Sequence, residues 1–263
     1  MNFKKTGNTD VINEFRGELY QRFTAPIDAM WEQLYIGFSQ HYLIENSSQS
    51  IGYCCIDNKG CLLQIFLSYE NNHLMDQAVL SLIESQLISS ASLSSIEPLS
   101  FNACLFHSKS LKTNAFCFQY SNRPVENKTS LKVELVSKED IPVIKAFMND
   151  QIGFDDTFGY TENLVERKEI YVLKESDTII ATSECRLSDS QHDIADLGVI
   201  VNKEFQGKGI ATQVLKYQAK RAQEANRKPI CSTTYDNIAS KKAIEKAGFY
   251  CSHIIFDINF GKE

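Results

Sequence analysis

Hydrophobic and polar positions follow regular periods in the second half of the chain. Residues 131–136 alternate apolar and polar side chains, as a half-buried strand does, and residues 210–225 carry apolar side chains at helical spacing. A Ser137–Asp140 pair resembles a capping box and predicts a helix that runs to about Met148. The other predicted elements are strands at 169–174, 178–187, 194–201, 229–234 and 250–258, and a helix at 239–247. The order β-α-loop-β-β-β-α-β-α-β predicts an α/β (α+β) mixed sheet with helices on both faces.

The first half shows a weaker form of the same order. Helical patterns lie at 9–20, 27–38 and 74–90, and strand-like runs lie at 41–45, 51–56, 61–67, 99–105 and 115–120. This succession suggests a degenerate internal duplication. The polar segment 121–129 contains Pro124 and separates the two apolar-rich halves, so we interpret it as a linker. The predicted domains are residues 1–122 and 130–263.

Composition and charge narrow the classes of function. The chain has 263 residues, 43% of them hydrophobic, with a net charge of −6. This acidic balance argues against a nucleic-acid partner, which normally needs a basic surface. The N-terminal residues have no apolar run after their lysines, and no 18 consecutive apolar residues occur, so we expect neither a secretory signal nor a membrane partner, and a cytoplasmic location.

The eight cysteines show no CxxC spacing, and most lie in apolar runs. We therefore interpret them as buried free thiols in a reducing compartment. Cysteine nucleophile or metal chemistry is the alternative. It has less support, because no histidine is placed to serve it, and we predict no metal site.

The most informative segment is 196–211, where an apolar strand runs through a glycine-containing turn directly into a long helix. Such a turn directs several backbone N–H groups to one spot beside the positive end of the helix dipole, which suits a phosphate or pyrophosphate. Gly207 and Gly209 would let the backbone approach the ligand closely. The turn matches neither the dinucleotide fingerprint nor a Walker loop. A tight connector without a ligand is the alternative reading.

Two sequence elements carry a family resemblance. Gln206-Gly207-Lys208-Gly209-Ile210-Ala211 fits the pattern Arg/Gln-x-x-Gly-x-Gly/Ala, and Asn237-Ile238-Ala239-Ser240 is followed by Gly248-Phe249. With these elements, residues 130–263 resemble the GNAT superfamily of N-acetyltransferases. The Arg227-Lys228-Pro229-Ile230 segment is also similar to acetyltransferases of the zwittermicin-resistance type. The resemblance implies a GNAT acyl-CoA N-acyltransferase fold, in tandem with a degenerate N-terminal copy.

The resemblance also implies a binding site for acetyl-CoA as cosubstrate. The backbone of Val199, Ile200 and Val201 would pair with the pantetheine amides. The backbone of residues 206–211, namely Gln206, Gly207, Lys208, Gly209, Ile210 and Ala211, would hold the pyrophosphate. Asn237 would hold the pantetheine arm as well as cap the last helix, with a lesser contribution from Ser240. Lys208, Lys216 and Lys220 could meet the 3′-phosphate, or could be ordinary solvated lysines.

Acyl transfer to an amine needs a base for the amine, polarisation of the thioester carbonyl, and protonation of the leaving thiolate. A backbone N–H near residues 199–201 would polarise the carbonyl. Asp196 and Glu184 are the candidate bases, although either carboxylate could simply face solvent or bond a loop. Family members often carry a tyrosine as the acid where this chain has Ile244. Tyr235 or a water is the candidate substitute.

Two further segments bear on the substrate. The first half lacks the glycine signature, and its turn at 68–73 contains an acidic residue that would repel phosphate, so we expect no cofactor site there. The acidic and aromatic loop 149–160, with Asp155 and Asp156, would line a pocket that prefers a cationic acceptor, or would be a solvated loop.

We therefore predict an enzyme that acetylates the primary amine of a small molecule or amino-acid-like acceptor by direct attack in a ternary complex. The first alternative is a non-catalytic acyl-CoA-binding sensor or scaffold. The second is a transferase that uses aminoacyl-tRNA, which the intact glycine turn and the acidic charge disfavour.

Overall fold

A computed structural model describes residues 1–121 and 131–261 of the chain. These residues divide into two compact units, one formed by residues 1–116 with the chain's end from His253 onward, the other by Cys117–Ser252. The predicted linker at 121–129 lies almost wholly outside the described residues. The predicted domain limits of 1–122 and 130–263 stay a prediction for the same reason.

The first unit begins with a strand and a helix and continues with three antiparallel strands. The elements are β1 (Asn2–Lys5), α1 (Thr9–Arg22), β2 (Gln40–Asn46), β3 (Gln49–Ile56), β4 (Cys61–Leu67), α2 (Met75–Glu84), β5 (Ser90–Ser94), α3 (Pro98–Phe106) and β6 (Ser110–Tyr120), whose residues from Cys117 onward belong to the second unit. Neighbouring strands from β1 to β4 are antiparallel, whereas β4 and β5 are parallel. A π-helical segment, Trp31–Ile36, lies within the predicted helix at 27–38.

The second unit repeats this order with one extra helix. Its elements are β7 (Val133–Leu135), α4 (Ile141–Ile152), α5 (Tyr160–Glu166), β8 (Ile170–Glu175), β9 (Thr178–Leu187), β10 (Ile194–Val201), α6 (Ile210–Glu224), β11 (Lys228–Thr234), α7 (Ile238–Lys246) and β12 (Phe249–Asn259), whose residues from His253 onward belong to the first unit. The strands are antiparallel from β7 to β10, and β10 and β11 are parallel. The mixed α/β sheet predicted from the sequence is confirmed.

Several elements differ from the sequence prediction, and β1 at Asn2–Lys5 had no predicted counterpart. Residues 99–105, predicted as a strand, lie in α3, because Pro98 at the first helical position favours a helix start that an apolar run alone does not reveal. The strand of this region is β5, whose sequence, SASLS, lacks β-branched and aromatic residues. Helix α4 runs to Ile152 and so extends into the predicted loop 149–160, and the unpredicted helix α5 begins at the last residue of that loop, Tyr160.

Each unit has its own apolar core. In the first unit, α2 packs Val79 and Leu82 into a cluster with β4 residues such as Leu62 and Ile65. In the second unit, Ile144 of α4 and Ile170 of β8 are fully buried in a cluster of their own. The cores fix the strand-to-helix turns that follow β4 and β10.

Candidate acyl-CoA and acceptor site

Strand β10 has one fully paired edge and one edge that opens toward its end. It pairs with β9 over its whole second half, up to Val201 opposite Ala181. Its parallel ladder with β11 is confined to Ile194–Asp196 opposite Lys228–Ile230. The two strands therefore separate beyond Asp196, and the backbone of Val199 to Val201 borders the opening.

A turn with two left-handed glycines follows β10. Gly207 and Gly209 have φ angles of 76° and 78°, a conformation that favours glycine. Gly209 is the N-cap of α6 and supplies no side-chain hydrogen bond. The first N–H groups of α6 thus have no side-chain cap, and they lie at the positive end of the helix dipole. No atom lies within 4 Å of the position that a Cβ would take at either glycine, so a ligand has room to approach the backbone.

The opening between β10 and β11 forms a groove with a volume of about 360 Å³. Of the residues predicted to bind pantetheine or the pyrophosphate, all line it except Lys208, whose ammonium lies 4.5 Å from the ring centroid of Phe205. The groove also has lining residues that the sequence analysis did not identify: Ile152, Phe205, Thr212, Ala239, Lys242, Ala243 and Lys246. Lys242 and Lys246 supply positive charge that suits an anionic cosubstrate. Of the other predicted phosphate ligands, Lys220 lies 3.7 Å from Glu224 in an exposed ion pair, and Lys216 does not line the groove.

The opposite wall of the groove is the first part of α7. The Asn237 side chain accepts a hydrogen bond from the Ser240 backbone N–H at 3.0 Å and caps the helix. Asn237 also lines the groove, so it is placed both to cap α7 and to contact a ligand in the groove, the two roles that the resemblance implied. The small side chains of Ala239 and Ala243 leave space along this wall, and Thr212 Oγ1 donates to the Ala243 carbonyl at 3.2 Å, which joins α6 to α7.

A network of charged and hydroxyl groups lies beside the groove. Tyr160 Oη donates to Glu184 Oε2 at 2.8 Å and accepts from Arg186 Nη1 at 2.9 Å. Arg186 lies 3.2 Å from Glu184 and 3.0 Å from Asp196, so one guanidinium joins two carboxylates. Burial raises the pKa of Tyr160, and the nearby Glu184 carboxylate raises it further, so this phenol stays protonated.

Register explains why these groups meet. Glu184 of β9 lies directly opposite Gly198 of β10, and Arg186 lies opposite Asp196. A Cβ at Gly198 would stand 3.3 Å from Glu184 Oε2, so the glycine leaves room for the carboxylate over the strand. The Glu184 carboxylate therefore sits one residue along β10 from Val199, the first strand residue that lines the groove.

The three predicted catalytic residues occupy different environments. Asp196 is fully buried and ion-paired with Arg186, whereas the Glu184 side chain keeps 12% of its exposure. Tyr235 is 56% exposed and lies outside the groove lining, and Ile244 is buried. This arrangement favours Glu184 over Asp196 as a base that an acceptor can reach.

The loop between α4 and α5 supplies an aromatic cluster. The rings of Phe154 and Phe158 are 6.0 Å apart, and the ring of Tyr160 lies 5.5 Å from Phe154. Asp156, expected to line the pocket, instead accepts hydrogen bonds from the backbone N–H groups of Tyr160 and Thr161 at the start of α5. Burial alone would raise the pKa of Asp156, but these hydrogen bonds hold it below its usual value. Asp156 is thus a structural cap rather than a free charge.

Most of the cysteines have the buried environment predicted for them, whereas Cys61 is only partly buried and Cys251 is exposed. Six of the eight are buried, and all eight are free. Burial raises the pKa of Cys55 and Cys185 to about 11, which keeps these thiols protonated at neutral pH.

Comparisons with known proteins identify the family. An acetyltransferase (GNAT) domain model matches residues 8–121, and an acetyltransferase (GNAT) family model matches residues 141–249. The chain carries two GNAT acetyltransferase domains. The match over residues 8–121 confirms the GNAT character of the first half, which its sequence only suggested.

Solved structures extend the likeness to the whole chain. An acetyltransferase of the GNAT family from Colwellia psychrerythraea is 28% identical, with a TM-score of 0.94, over 99% of this chain and 100% of that one. A GCN5-related N-acetyltransferase from Sphaerobacter thermophilus is 12% identical, with a TM-score of 0.65, over 99% and 96% of the two chains. A tandem GNAT protein from the clavulanic acid biosynthesis pathway is 12% identical, with a TM-score of 0.60, over 100% and 99%. At 12% identity these last two show the fold alone.

No curated protein sequence matches the chain. Within residues 1–121 and 131–261, no helix is long and apolar enough to cross a membrane. The same residues contain no group of three or more His, Cys, Asp or Glu side chains arranged to hold a metal ion.

Proposed function

We propose that the second GNAT domain transfers an acetyl group from acetyl-CoA to the primary amine of a small-molecule acceptor in a ternary complex. The observation that carries the proposal is the groove between β10 and α7, which ends at an uncapped helix start with two left-handed glycines. Backbone N–H groups at that turn are suited to a pyrophosphate, and the open edge of β10 is suited to the pantetheine amides.

Glu184 is the base in this proposal. An ammonium acceptor must lose a proton before its nitrogen can attack, and a carboxylate within reach of the reacting centre accepts that proton directly or through one water. Arg186 and the Tyr160 hydroxyl hold the Glu184 carboxylate in place, and Asp196 in turn holds Arg186. Asp196 is therefore a positioning residue.

The remaining groups complete the reaction. The neutral amine nitrogen forms a bond to the acetyl carbon, the carbon–sulfur bond breaks, and the acylated nitrogen loses its remaining excess proton as the amide forms. A backbone N–H of Val199 to Val201 on the open edge polarises the thioester carbonyl. Water relays the proton from the nitrogen to the CoA thiolate, since Ile244 is buried and apolar and Tyr235 lies outside the groove. The aromatic loop residues Phe154 and Phe158 offer an apolar contact for the acceptor.

The test combines binding and turnover. Titration calorimetry measures the affinity for acetyl-CoA and CoA, and a thiol reagent measures CoA release in the presence of a panel of small primary amines, with and without each amine. We expect saturable binding of acetyl-CoA and amine-dependent CoA release. Absence of acetyl-CoA binding would refute the proposal outright.

A second candidate is a non-catalytic acyl-CoA-binding module. Ile244, buried where many GNAT enzymes carry an acidic tyrosine, is the observation that favours it. Tight acetyl-CoA binding without CoA release across the amine panel would select this second candidate.

A further inference from the structure

The first unit has a cleft of its own at the place where β4 and β5 separate. The parallel ladder between these strands is limited to Cys61 and Leu62, opposite Ser90 and Ala91. Beyond it lies a cleft with a volume of about 150 Å³. Its walls are largely apolar and include Leu19, Ile65, Leu67, Met75, Ile96 and Leu99. Engineered apolar cavities of about this size bind benzene, so the volume matches one aromatic ring.

The turn after β4, which corresponds to the glycine turn after β10, does not suit the phosphates of a CoA-like ligand. The turn after β4 is a 3-10 segment, Tyr69–Leu74, and places Glu70 in its first turn. Arg22 Nη1 donates to the Leu67 carbonyl at 3.3 Å and thereby occupies a backbone acceptor at the end of β4. The cleft therefore calls for a smaller ligand of different chemistry.

One buried carboxyl faces this cleft. Glu97 is the N-cap residue of α3, the position that Asn237 holds for α7, and it is 5% exposed. Glu97 lines the cleft. Its carboxyl has one hydrogen-bond partner among the described residues, Ser100 Oγ at 3.3 Å, and no cationic side chain of residues 1–121 or 131–261 forms an ion pair with it. A carboxyl in so apolar a site needs a cationic partner to ionise.

Arg22 also lines the cleft, but its guanidinium has other contacts. It lies 4.6 Å from the ring centroid of Phe66, donates to Asn72 Oδ1 at 3.3 Å, and forms an exposed ion pair with Glu18. Arg22 therefore does not pair with Glu97, and no other side chain of the described residues supplies the cation that ionisation of Glu97 would require.

We propose that this cleft binds a small organic amine, with its apolar body of about one aromatic ring between β4 and the start of α3 and its ammonium group against the Glu97 carboxylate. This site lies in the first unit and is independent of the acetyl-CoA groove. A matching amine supplies in one molecule an apolar group that fills the cleft and a positive charge to pair with Glu97.

Proton release is a second signature of such binding. Burial raises the pKa of Glu97 to about 8, so the free carboxyl is mainly protonated at pH 7. The groups that face it from α1, β3 and α3 are Tyr20, Tyr53, Cys55 and Cys104, and burial raises the pKa of each, so all four stay neutral at pH 7. Binding of an ammonium then ionises Glu97 and releases roughly one proton per amine.

The experiment uses benzylammonium as probe and the full chain labelled at the methionine methyl groups with carbon-13. Met75 lines the cleft, and Met148 lies in the core of the second unit as an internal control. We expect the Met75 signal to shift saturably at amine concentrations up to about 10 mM, a range suited to so small a ligand, with Met148 unmoved. Calorimetry in buffers of different ionisation enthalpy at pH 7 measures the released proton.

Two variants and one neutral ligand make the test decisive. Glu97→Gln keeps the shape and removes the charge, and we expect at least a tenfold loss of affinity and no proton release. Leu99→Trp fills the cleft from a position that is 42% exposed, so it folds and abolishes the Met75 shift even if Glu97→Gln does not fold. An unmoved Met75 signal in the wild type, or equal binding of benzyl alcohol, overturns the proposal. Neither result depends on acetyl-CoA, so the acetyltransferase proposal is tested separately.

Discussion

After β4 in the first unit and after β10 in the second, the chain leaves a parallel strand pair and turns toward a helix. Both pairs share only a few ladder positions, two in the first unit and three in the second, so both turns border a gap in the sheet. In the second unit the gap ends at Gly207 and Gly209 in left-handed conformation. In the first unit it ends at a 3-10 segment that contains Glu70.

This difference shows that the strand order creates the space, whereas the residues of the turn decide whether that space can bind an anion. The strand order alone opens a space in either unit. Anion binding needs in addition a backbone that exposes uncapped N–H groups, and only glycine adopts the required conformation without strain. The opposite wall differs in the same way, because one helix begins with the amide Asn237 and the other with the buried carboxyl of Glu97.

The largest effect is expected in the second unit, on catalysis. Glu184→Gln removes the proposed base but keeps the length of the side chain. We therefore expect kcat to fall by about a thousandfold, within the range for a positioned base. Acetyl-CoA affinity should stay unchanged, because Glu184 does not line the groove. Steady-state kinetics and calorimetry measure the two quantities.

Glu175→Gln is the matched control for this change. Glu175 lies at the exposed hairpin end of β8, and its replacement should leave kcat as it is. A Glu184→Gln variant that keeps more than a tenth of the wild-type kcat would eliminate Glu184 as the base and shift attention to Asp196.

The next effect concerns cofactor binding at the glycine turn. Gly209→Glu introduces a side chain at a φ of 78° and a negative charge beside the uncapped helix start, so we expect acetyl-CoA affinity to fall by about a hundredfold. Calorimetry measures the loss. Gly209→Ala carries the backbone strain without the charge, and a smaller loss in that variant isolates the electrostatic part. Equal affinities for wild type and Gly209→Glu would mean that the turn is only a connector.

The comparison also predicts a pH effect of Glu97 in the first unit. Glu97 has a folded-state pKa of about 8, raised by burial from 4.5. Between these values the folded state holds a proton that the unfolded state has lost, so stability falls as pH rises through this window, by about 1.4 kcal/mol per pH unit from this group. Above pH 8 its contribution is constant. Chemical denaturation between pH 5 and pH 9 measures the slope.

Glu97→Gln should remove that part of the slope, since an amide does not titrate. Glu70→Gln, an exposed carboxyl in the same unit, is the control and should leave the slope unchanged. If the Glu97→Gln and wild-type curves stay parallel from pH 5 to pH 9, the carboxyl is not desolvated as the structure indicates.

The sequence predicted much of the second unit and less of the first. Periodicity placed β9 and β10 correctly, and the glycine pattern located the turn at 206–211, because both signals are local. The strand prediction for α3 was wrong, because a short apolar run has the same composition in a strand and in a helix. The first unit also lost the glycine signature, which left only weak periodicity to indicate its fold.

The environment of the proposed base could not be predicted because it depends on strand register. Asp196 and Glu184 looked equivalent in the sequence, yet the pairing of β9 with β10 buries Asp196 against Arg186 and places Glu184 over Gly198. Lys242 and Lys246 were missed for a similar reason, since only the packing of α7 against α6 turns them toward the groove.

The smallest effect is expected at Tyr235, the predicted substitute for the missing acid. This side chain is 56% exposed and outside the groove lining, so Tyr235→Phe should change kcat by less than about twofold, the range of a surface substitution. Steady-state kinetics at saturating amine and acetyl-CoA measure this, with Tyr250→Phe, also exposed, as control. A tenfold or larger fall confined to Tyr235→Phe would mean that the acceptor complex brings this tyrosine to the thiolate. Tyr235 would then become the acid that protonates the CoA thiolate when the second unit closes around the substrates. A negligible change would mean that water delivers this proton.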